Sequence, residues 1–171
     1  MREELVDVVD EDDQFVRKAT RKEAKEKSLR HRLARVIIIN SEGKILVQKR
    51  AKGKELYPSW WDIGVTETLR SGESYEAAAM RGLMEELGII GVSNIQLIRA
   101  FLFKVVYTSK YNNVICKVYK HEYDDKLTLQ PDEVDEVRFL TATEIEQFMQ
   151  REQFTPGGKI TFQKYLEHKA Q

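Results

Sequence analysis

The chain has 171 residues, of which 42% are hydrophobic, and this suits one domain with a substantial buried core. Lysine and arginine together number 28, as do aspartate and glutamate, so no net charge draws the protein to a nucleic acid polymer or to a membrane surface. The one cysteine excludes an internal disulfide. The sequence has neither a signal-peptide core nor an apolar run approaching the roughly 20 residues of a membrane span, so we expect a cytoplasmic protein.

The first part of the chain alternates turn residues with short apolar runs. In order, it predicts an N-terminal β-hairpin at 4–9 and 14–16, a charged helix at 20–27, and a second hairpin at 33–39 and 45–48. The strands of the second hairpin are the more apolar, so we expect this hairpin at the centre of a sheet.

The rest of the chain mixes strand and helix patterns. In order, it predicts a strand at 62–65, a helix at 74–87, strands at 95–108, 114–123 and 137–140, and helices at 143–150 and 159–169. Together these elements predict an α/β (α+β) fold in which helices sandwich a mixed central sheet. We expect a single domain over 1–171, with the first hairpin and helix at 1–29, a core at 30–150 and a C-terminal helix at 151–171.

The helix predicted at 74–87 separates apolar residues from acidic ones. Glu85 and Glu86 project from one side, with position 82 beside them, and the apolar side carries Ala79, Met80, Leu83, Met84 and Leu87. Adjacent carboxylates on a rigid helix are oxygen ligands of the kind that Mg²⁺ or Mn²⁺ prefers. Acidic pairs on helices are more often solvated surface, so the pair alone does not decide. Arg81, one turn earlier, would keep the Glu85 carboxylate ionised and oriented.

Spacing around this helix is more specific than the acidic pair. Seven residues match a fixed pattern, G-x5-E-x7-R-E-U-x-E-E-x-G-U with U a bulky aliphatic residue: Glu73, Arg81, Leu83, Glu85, Glu86, Gly88 and Ile89. This pattern is the Nudix box, so the chain resembles the Nudix hydrolase superfamily over most of 30–150. The resemblance implies a Nudix-like α/β/α sandwich with Mg²⁺ or Mn²⁺ as cofactor.

A closer likeness is to the branch that contains type-I isopentenyl-diphosphate isomerase and its hydrolase relatives. It is carried by His31-Arg32, the segment 43–50, Lys54, Pro58, Trp61-Asp62 and the segment 132–134. In that branch, basic residues equivalent to Arg50 and Lys54 grip the diphosphate. Tyr57, in the same loop, is a candidate for stacking on a base, although aromatic residues near a core helix more often serve packing.

Two positions depart from the Nudix box. Glu67 stands where the box opens with glycine, and Gly82 stands where the family has the first glutamate of R-E-U-x-E-E. Our hypothesis is that Glu67 supplies a replacement carboxylate, so that Glu67, Glu73, Glu85 and Glu86 are the predicted metal ligands. The alternative is that both changes mark a site that has drifted away from hydrolysis.

An acidic turn before the last predicted strand offers a general base. Glu133 and Glu136 lie where Nudix relatives often bring an acid toward the metals, and either would take a proton from a metal-bound water. The alternative for both residues is an exposed acidic loop.

The leading functional prediction is metal-dependent hydrolysis of a diphosphate bond in a nucleoside-diphosphate-type small molecule. Isopentenyl-diphosphate isomerisation is the second, but that chemistry needs a cysteine where Thr66 stands, and Cys116 lies in a later strand. A diphosphate-binding protein with weakened or lost catalysis is the third, because of Glu67 and Gly82. The sequence leaves open whether two copies form a homodimer.

Overall fold

The computed structural model describes residues 3–171. The elements in chain order are β1 (Leu5–Val9), β2 (Phe15–Thr20), α1 (Arg21–Glu26), β3 (Arg30–Ile39), β4 (Ile45–Arg50), β5 (Trp61–Ile63), β6 (Val65–Thr68), α2 (Tyr75–Leu87), α3 (Asn94–Arg99), β7 (Phe101–Thr108), β8 (Asn113–Glu122), β9 (Val134–Leu140), α4 (Ala142–Arg151) and α5 (Pro156–Ala170). Within the described part of the chain, no helix is long and apolar enough to cross a membrane.

Seven strands form one mixed sheet in the order β5-β4-β3-β8-β7, with β6 also pairing with β3 and β9 with β4. Strand β3 is central, as predicted, and runs parallel to β8 along its whole length. The two strands of the second predicted hairpin pair only next to the turn, because β3 and β4 share one register pair, Ile39 with Ile45. Strand β4 then pairs with β5 and β9 while β6 takes its place beside β3.

Helices cover both faces of this sheet because its central strand is apolar on both sides. Ala34, Val36 and Ile38 pack with α2 and α3 on one face, whereas Leu33 and Ile37 pack with α4 and α5 on the other. A strand buried on both faces is expected to read as a continuous apolar run, and 33–39 does. The predicted α/β/α sandwich with a mixed central sheet is confirmed.

Two predicted strands are wrong in detail. The segment 95–108 begins as helix α3 and becomes strand β7 only at Phe101, because Ser93 and Gln96 form a reciprocal cap that starts a helix. The strand predicted at 62–65 is broken at Gly64, which has φ +62° and whose missing side chain lets the chain pass close to the Val36 carbonyl. This break divides β5 from β6 and sends β6 toward α2.

The predicted N-terminal hairpin is confirmed as a separate two-stranded sheet of β1 and β2. Its turn is anchored to the core, because the Asp13 carboxylate accepts hydrogen bonds from Arg32 Nε at 2.6 Å and from the Tyr75 hydroxyl at 2.9 Å. The hairpin therefore reaches the start of α2, the helix that carries the acidic residues.

Candidate active site

Helix α2 is bounded by residues that fix its ends. The Ser74 hydroxyl accepts a hydrogen bond from the Ala77 N–H at the start, and Gly88 ends the helix at φ +68°, in the left-handed region. One feature of its predicted faces is wrong: Met84 is 52% exposed, while Glu86 is only 5% exposed. The side of the helix that bears Glu86 is packed against β6 and does not face solvent.

Gly82 makes this close packing possible. A Cβ atom at Gly82 would lie 2.5 Å from Cγ of Glu67 and 2.7 Å from Cγ1 of Val65, closer than van der Waals contact allows. The Glu67 side chain thus occupies the space that a side chain at position 82 would need. The two departures from the Nudix box meet in space, and the carboxylate of one lies beside the site vacated by the other.

Glu67 and Glu86 form a buried carboxyl pair. The two carboxyl groups interact directly, with 15% of the Glu67 side chain exposed, and the Gln48 amide donates a hydrogen bond to Glu86 Oε2 at 2.7 Å. Burial and the neighbouring Glu67 carboxylate raise the pKa of Glu86 well above its ordinary value. Burial also raises the pKa of Glu67, although Arg81 acts against this shift. The pair therefore retains a proton at a pH where isolated carboxyl groups would be ionised.

Arg81 organises the acidic residues around it. Its guanidinium donates to Glu67 Oε2 at 2.7 Å and to both oxygens of Glu73 at 2.9 Å, and it lies 3.7 Å from Glu85 Oε2. Glu73 also accepts the Arg70 N–H, and although burial opposes ionisation, these hydrogen bonds lower the pKa of Glu73. Both oxygens of Glu73 are thus already engaged, which places this residue in support of Arg81.

Of the two candidate acids, Glu133 lies in the turn before β9 and approaches the carboxyl pair, whereas Glu136 lies within β9. Glu133 influences the Glu86 carboxyl group electrostatically and forms an ion pair with Lys54. Glu136 instead accepts a hydrogen bond from Arg138 at 2.6 Å, and Arg138 stacks over the ring of Trp61 on the α4 side of the sheet. The alternation of side chains along β9 therefore separates Glu136 from α2.

Arg50, the last residue of β4, and Tyr57, in the loop that follows, line a cavity of about 80 Å³. Arg50 Nε donates to the Leu56 carbonyl oxygen at 3.0 Å. The Tyr57 ring lies 5.0 Å from that of Trp60 and 5.6 Å from that of Tyr111, and its φ of +52° is unusual for a residue with a side chain. Such backbone strain is typical of binding loops.

The sequence reasoning missed Gln48. This amide is 3% exposed, and its donation to Glu86 fixes the orientation of the carboxyl group. The available signal was a polar residue within the apolar run of 45–48, where a buried amide requires a partner.

The predicted metal ligands are partly assembled. Glu67 and Glu86 are in contact, Glu85 lies beside them with 44% of its side chain exposed, and Glu73 is held by Arg81. Among residues 3–171, no three His, Cys, Asp or Glu side chains are arranged as a ready-made metal cage. A cation at this site would require Glu86 to ionise and the carboxylates to reorient.

Comparisons with known proteins agree with this architecture. The NUDIX domain model matches residues 29–164. An uncharacterized Nudix hydrolase from Streptomyces coelicolor is 33% identical over 157 residues, which cover 91% of this chain and 84% of the relative. The crystal structure of DR0079 from Deinococcus radiodurans superposes with a TM-score of 0.76 at 22% identity, covering 94% of this chain and 98% of that one.

A bifunctional NMN adenylyltransferase/ADP ribose pyrophosphatase from Francisella tularensis, solved with AMP and a manganese ion, gives a TM-score of 0.60 at 17% identity. That match covers 80% of this chain and 41% of the other. The low identity makes it evidence for the fold alone. The match of the domain model over most of the chain and the identity to the Streptomyces relative show that this protein belongs to the Nudix hydrolase family.

Proposed function

We propose that this protein hydrolyses a diphosphate bond in a nucleoside-diphosphate-type substrate, in a reaction that depends on Mg²⁺ or Mn²⁺. The observation that carries the proposal is the buried Glu67–Glu86 carboxyl pair, held between Arg81 and Gln48. Two carboxyl groups that share a site cannot both ionise cheaply unless a cation compensates them. Perturbed acids of this kind are concentrated at functional sites.

The acidic residues are of the type that binds a divalent cation, once their side chains reorient. Glu67, Glu85 and Glu86 supply the hard oxygen ligands that Mg²⁺ and Mn²⁺ prefer, and Glu133 lies close enough to influence Glu86. Arg81 would orient Glu67, and Glu73 would in turn hold Arg81 in place. When bound, the metal would supply charge neutralisation at the phosphoryl oxygens and acidify a bound water.

The chain's own groups account for the remaining requirements. Glu133 would accept the proton of the attacking water, and its contact with Lys54 would keep it oriented before substrate arrives. Lys54 and Arg50 would bind the non-bridging oxygens of the diphosphate. Tyr57 would contact the base or another flat part of the substrate, consistent with its place among aromatic rings at the rim of the cavity.

Isopentenyl-diphosphate isomerisation is less well supported. Thr66 stands where that reaction needs a thiol, and burial raises the pKa of the Cys116 thiol to about 11. A thiol that is fully buried and protonated does not exchange protons with a substrate. The likeness to the isomerase branch therefore bears on the shape of the diphosphate site and not on the reaction that we propose.

The proposal is tested by measuring turnover across nucleoside di- and triphosphates, nucleotide sugars, coenzyme A and dinucleotides, with Mg²⁺ and with Mn²⁺. Glu86→Gln should lower kcat by about 100-fold or more, the scale on which one preorganised electrostatic group acts. Glu26→Gln, on the exposed face of α1, is the matched control and should match the unmodified protein. Substrate binding without product across this panel would instead favour the non-catalytic alternative.

A further inference from the structure

The N-terminal hairpin of β1 and β2 rests against the loop 69–74, which joins β6 to α2. The Leu5 carbonyl oxygen accepts a hydrogen bond from the Ser71 N–H at 2.7 Å. The Asp7 carboxylate accepts two more, from the Ser71 hydroxyl at 2.7 Å and from the Gly72 N–H at 3.0 Å. Each oxygen of Asp7 takes one of these donors, so β1 binds the loop through its backbone and through one fully engaged carboxylate.

The loop that β1 binds carries Glu73, the residue that fixes Arg81. The Glu73 N–H donates to the Arg70 carbonyl oxygen at 2.9 Å, and the Arg70 N–H donates back to Glu73 Oε2 at 2.9 Å, so these two residues close a tight turn. Glu73 then binds the guanidinium of Arg81, which donates to Glu67 of the carboxyl pair. Hydrogen bonds therefore connect Asp7, through this turn, to the carboxyl pair.

Two further contacts join the hairpin to the same site. Arg70 Nε donates to Glu4 Oε1 at 3.0 Å, and Nη2 of the same side chain lies 4.0 Å from Glu85 Oε1. At the turn of the hairpin, the Asp13 carboxylate accepts the hydroxyl of Tyr75, the first residue of α2, at 2.9 Å. The hairpin thus contacts both the loop and the helix that carry the acidic residues.

The packing of the hairpin is separate from that of the core. Val6, Val8 and Val9 of β1 are buried, yet they belong to neither of the two hydrophobic clusters that cover the faces of the large sheet. Buried apolar surface is the main force that stabilises a fold, and those two clusters contain most of it. Substitution of a polar residue in β1 should therefore leave the core folded.

Groups that orient metal ligands through hydrogen bonds change metal affinity and activity although they never touch the metal. We propose that Asp7 is a positioning residue of the carboxylate site, through which the hairpin holds the loop 69–74 in the geometry that lets Glu73 fix Arg81. The effect of Asp7 on metal binding and turnover rests on the proposed function, whereas its effect on the loop does not.

The effect on the loop is tested in the metal-free protein, by measuring amide hydrogen exchange of the Arg70 N–H by NMR. Asp7→Ala should speed this exchange by about tenfold or more, the scale of a lost hydrogen bond to a charged group, because the turn then opens more often. Asp7→Asn should exchange as the unmodified protein does. Its amide oxygen can accept the Gly72 N–H, and its nitrogen can donate to the Ser71 hydroxyl.

Asp124→Ala is the matched control. The Asp124 carboxylate accepts the same two kinds of donor, the hydroxyl and the N–H of Ser41, both at 2.8 Å, in the turn between β3 and β4. Its loss removes equivalent bonds from a different turn, so exchange of the Arg70 N–H should not change. Unchanged exchange in Asp7→Ala, or an equal increase in Asp124→Ala, would overturn the proposal.

The effect on function is tested by Mn²⁺ affinity and by kcat on the best substrate. Both should fall by about tenfold or more in Asp7→Ala and stay unchanged in Asp7→Asn and Asp124→Ala. Urea unfolding of each variant confirms that it is folded under the assay conditions. If Asp7→Ala lowers only the free energy of unfolding, with Mn²⁺ affinity and kcat unchanged, the hairpin is a structural attachment and the positioning role is overturned.

Ser71→Ala keeps the test decisive if Asp7→Ala fails to fold. It removes one of the two bonds from the side of the loop, and it should shift exchange, Mn²⁺ affinity and kcat in the same directions by smaller factors. Failure of the proposed hydrolysis would look different, because the unmodified protein would then form no product. Faster Arg70 exchange in Asp7→Ala would still support the positioning of the loop, and unchanged exchange would still overturn it.

Discussion

Substitution of Gly82 probes the exchange of side chains between β6 and α2. Alanine in place of glycine inside a helix ordinarily stabilises it by about 1 kcal/mol. Here the new Cβ atom would meet Glu67 Cγ at 2.5 Å and Val65 Cγ1 at 2.7 Å. Overpacking of this kind costs about 1–3 kcal/mol. Gly82→Ala should therefore destabilise the protein by about 1 kcal/mol and lower Tm by about 2–4 °C for a chain of this length.

The matched comparison is the same substitution in a Glu67→Ala background. With the Glu67 side chain removed, the cost of Gly82→Ala should fall by about 1 kcal/mol, leaving the contact with Val65. Both values are measured by urea unfolding and combined as a double-mutant cycle. If Gly82→Ala raises the free energy of unfolding, or if its effect is the same in both backgrounds, the packing argument is refuted.

The same pair of positions also carries a prediction for activity. Glu67→Gly with Gly82→Glu returns both positions to the Nudix box and moves the carboxylate from β6 to α2. This double variant should keep much more activity than Glu67→Gly alone, which lacks one acid. The double variant should nevertheless be less stable than the unmodified protein, because Val65 still crowds position 82. Steady-state kinetics on the best substrate would measure the difference, and equal activity of the two variants would contradict the exchange.

Three further predictions concern a buried ion pair, a buried histidine and the two acids Glu133 and Glu136. Asp62→Asn leaves Arg35 buried without its counter-ion and should cost about 3–5 kcal/mol in urea unfolding, whereas an Arg35→Met/Asp62→Leu double variant should recover most of that loss. Burial, aided by Arg21 and opposed by the His31 hydrogen bond to Leu29, lowers the pKa of His31, so stability should be full above about pH 6.5 and fall as the pH drops below that value. Thermal unfolding against pH should show a shallower fall in His31→Gln, and an identical profile would contradict the assignment. Glu133→Gln should lower kcat by about 100-fold or more while Glu136→Gln leaves it unchanged, and the reverse order would exchange their roles.

Local sequence signals were sufficient to predict helix α2. Ser74 and Gly88 mark its ends by capping and by left-handed geometry, and both act within a few residues of the helix. The spacing of Glu73, Arg81 and Glu85 then identified the box. The contact of Arg81 with Glu73 follows from this spacing because both lie on one turn-and-helix unit.

Long-range packing explains what the sequence did not predict. Glu86 was expected to project away from the apolar side, yet it is buried because Gly82 allows β6 to approach the helix. The choice between Glu133 and Glu136 depends on how β9 registers against β4, which no local pattern specifies. The start of α3 is an exception, because Ser93 and Gln96 form a capping box that is a local signal in the sequence.

The cavity could not be predicted from the sequence, again because it depends on long-range packing. Its lining combines residues from β3, β6 and the loop after β4 with Arg21 near the start and Gly157 near the end of the chain.

The central claim is that Glu67 and Glu86 together hold the divalent metal. The most direct test is Mn²⁺ binding to the unmodified protein, to Glu67→Gln and Glu86→Gln, and to Glu136→Gln as a control on the opposite face of the sheet, measured by electron paramagnetic resonance. The account predicts affinity lower by at least about tenfold in the first two variants and unchanged in the control. Mn²⁺ binding by Glu67→Gln that equals that of the unmodified protein would contradict it.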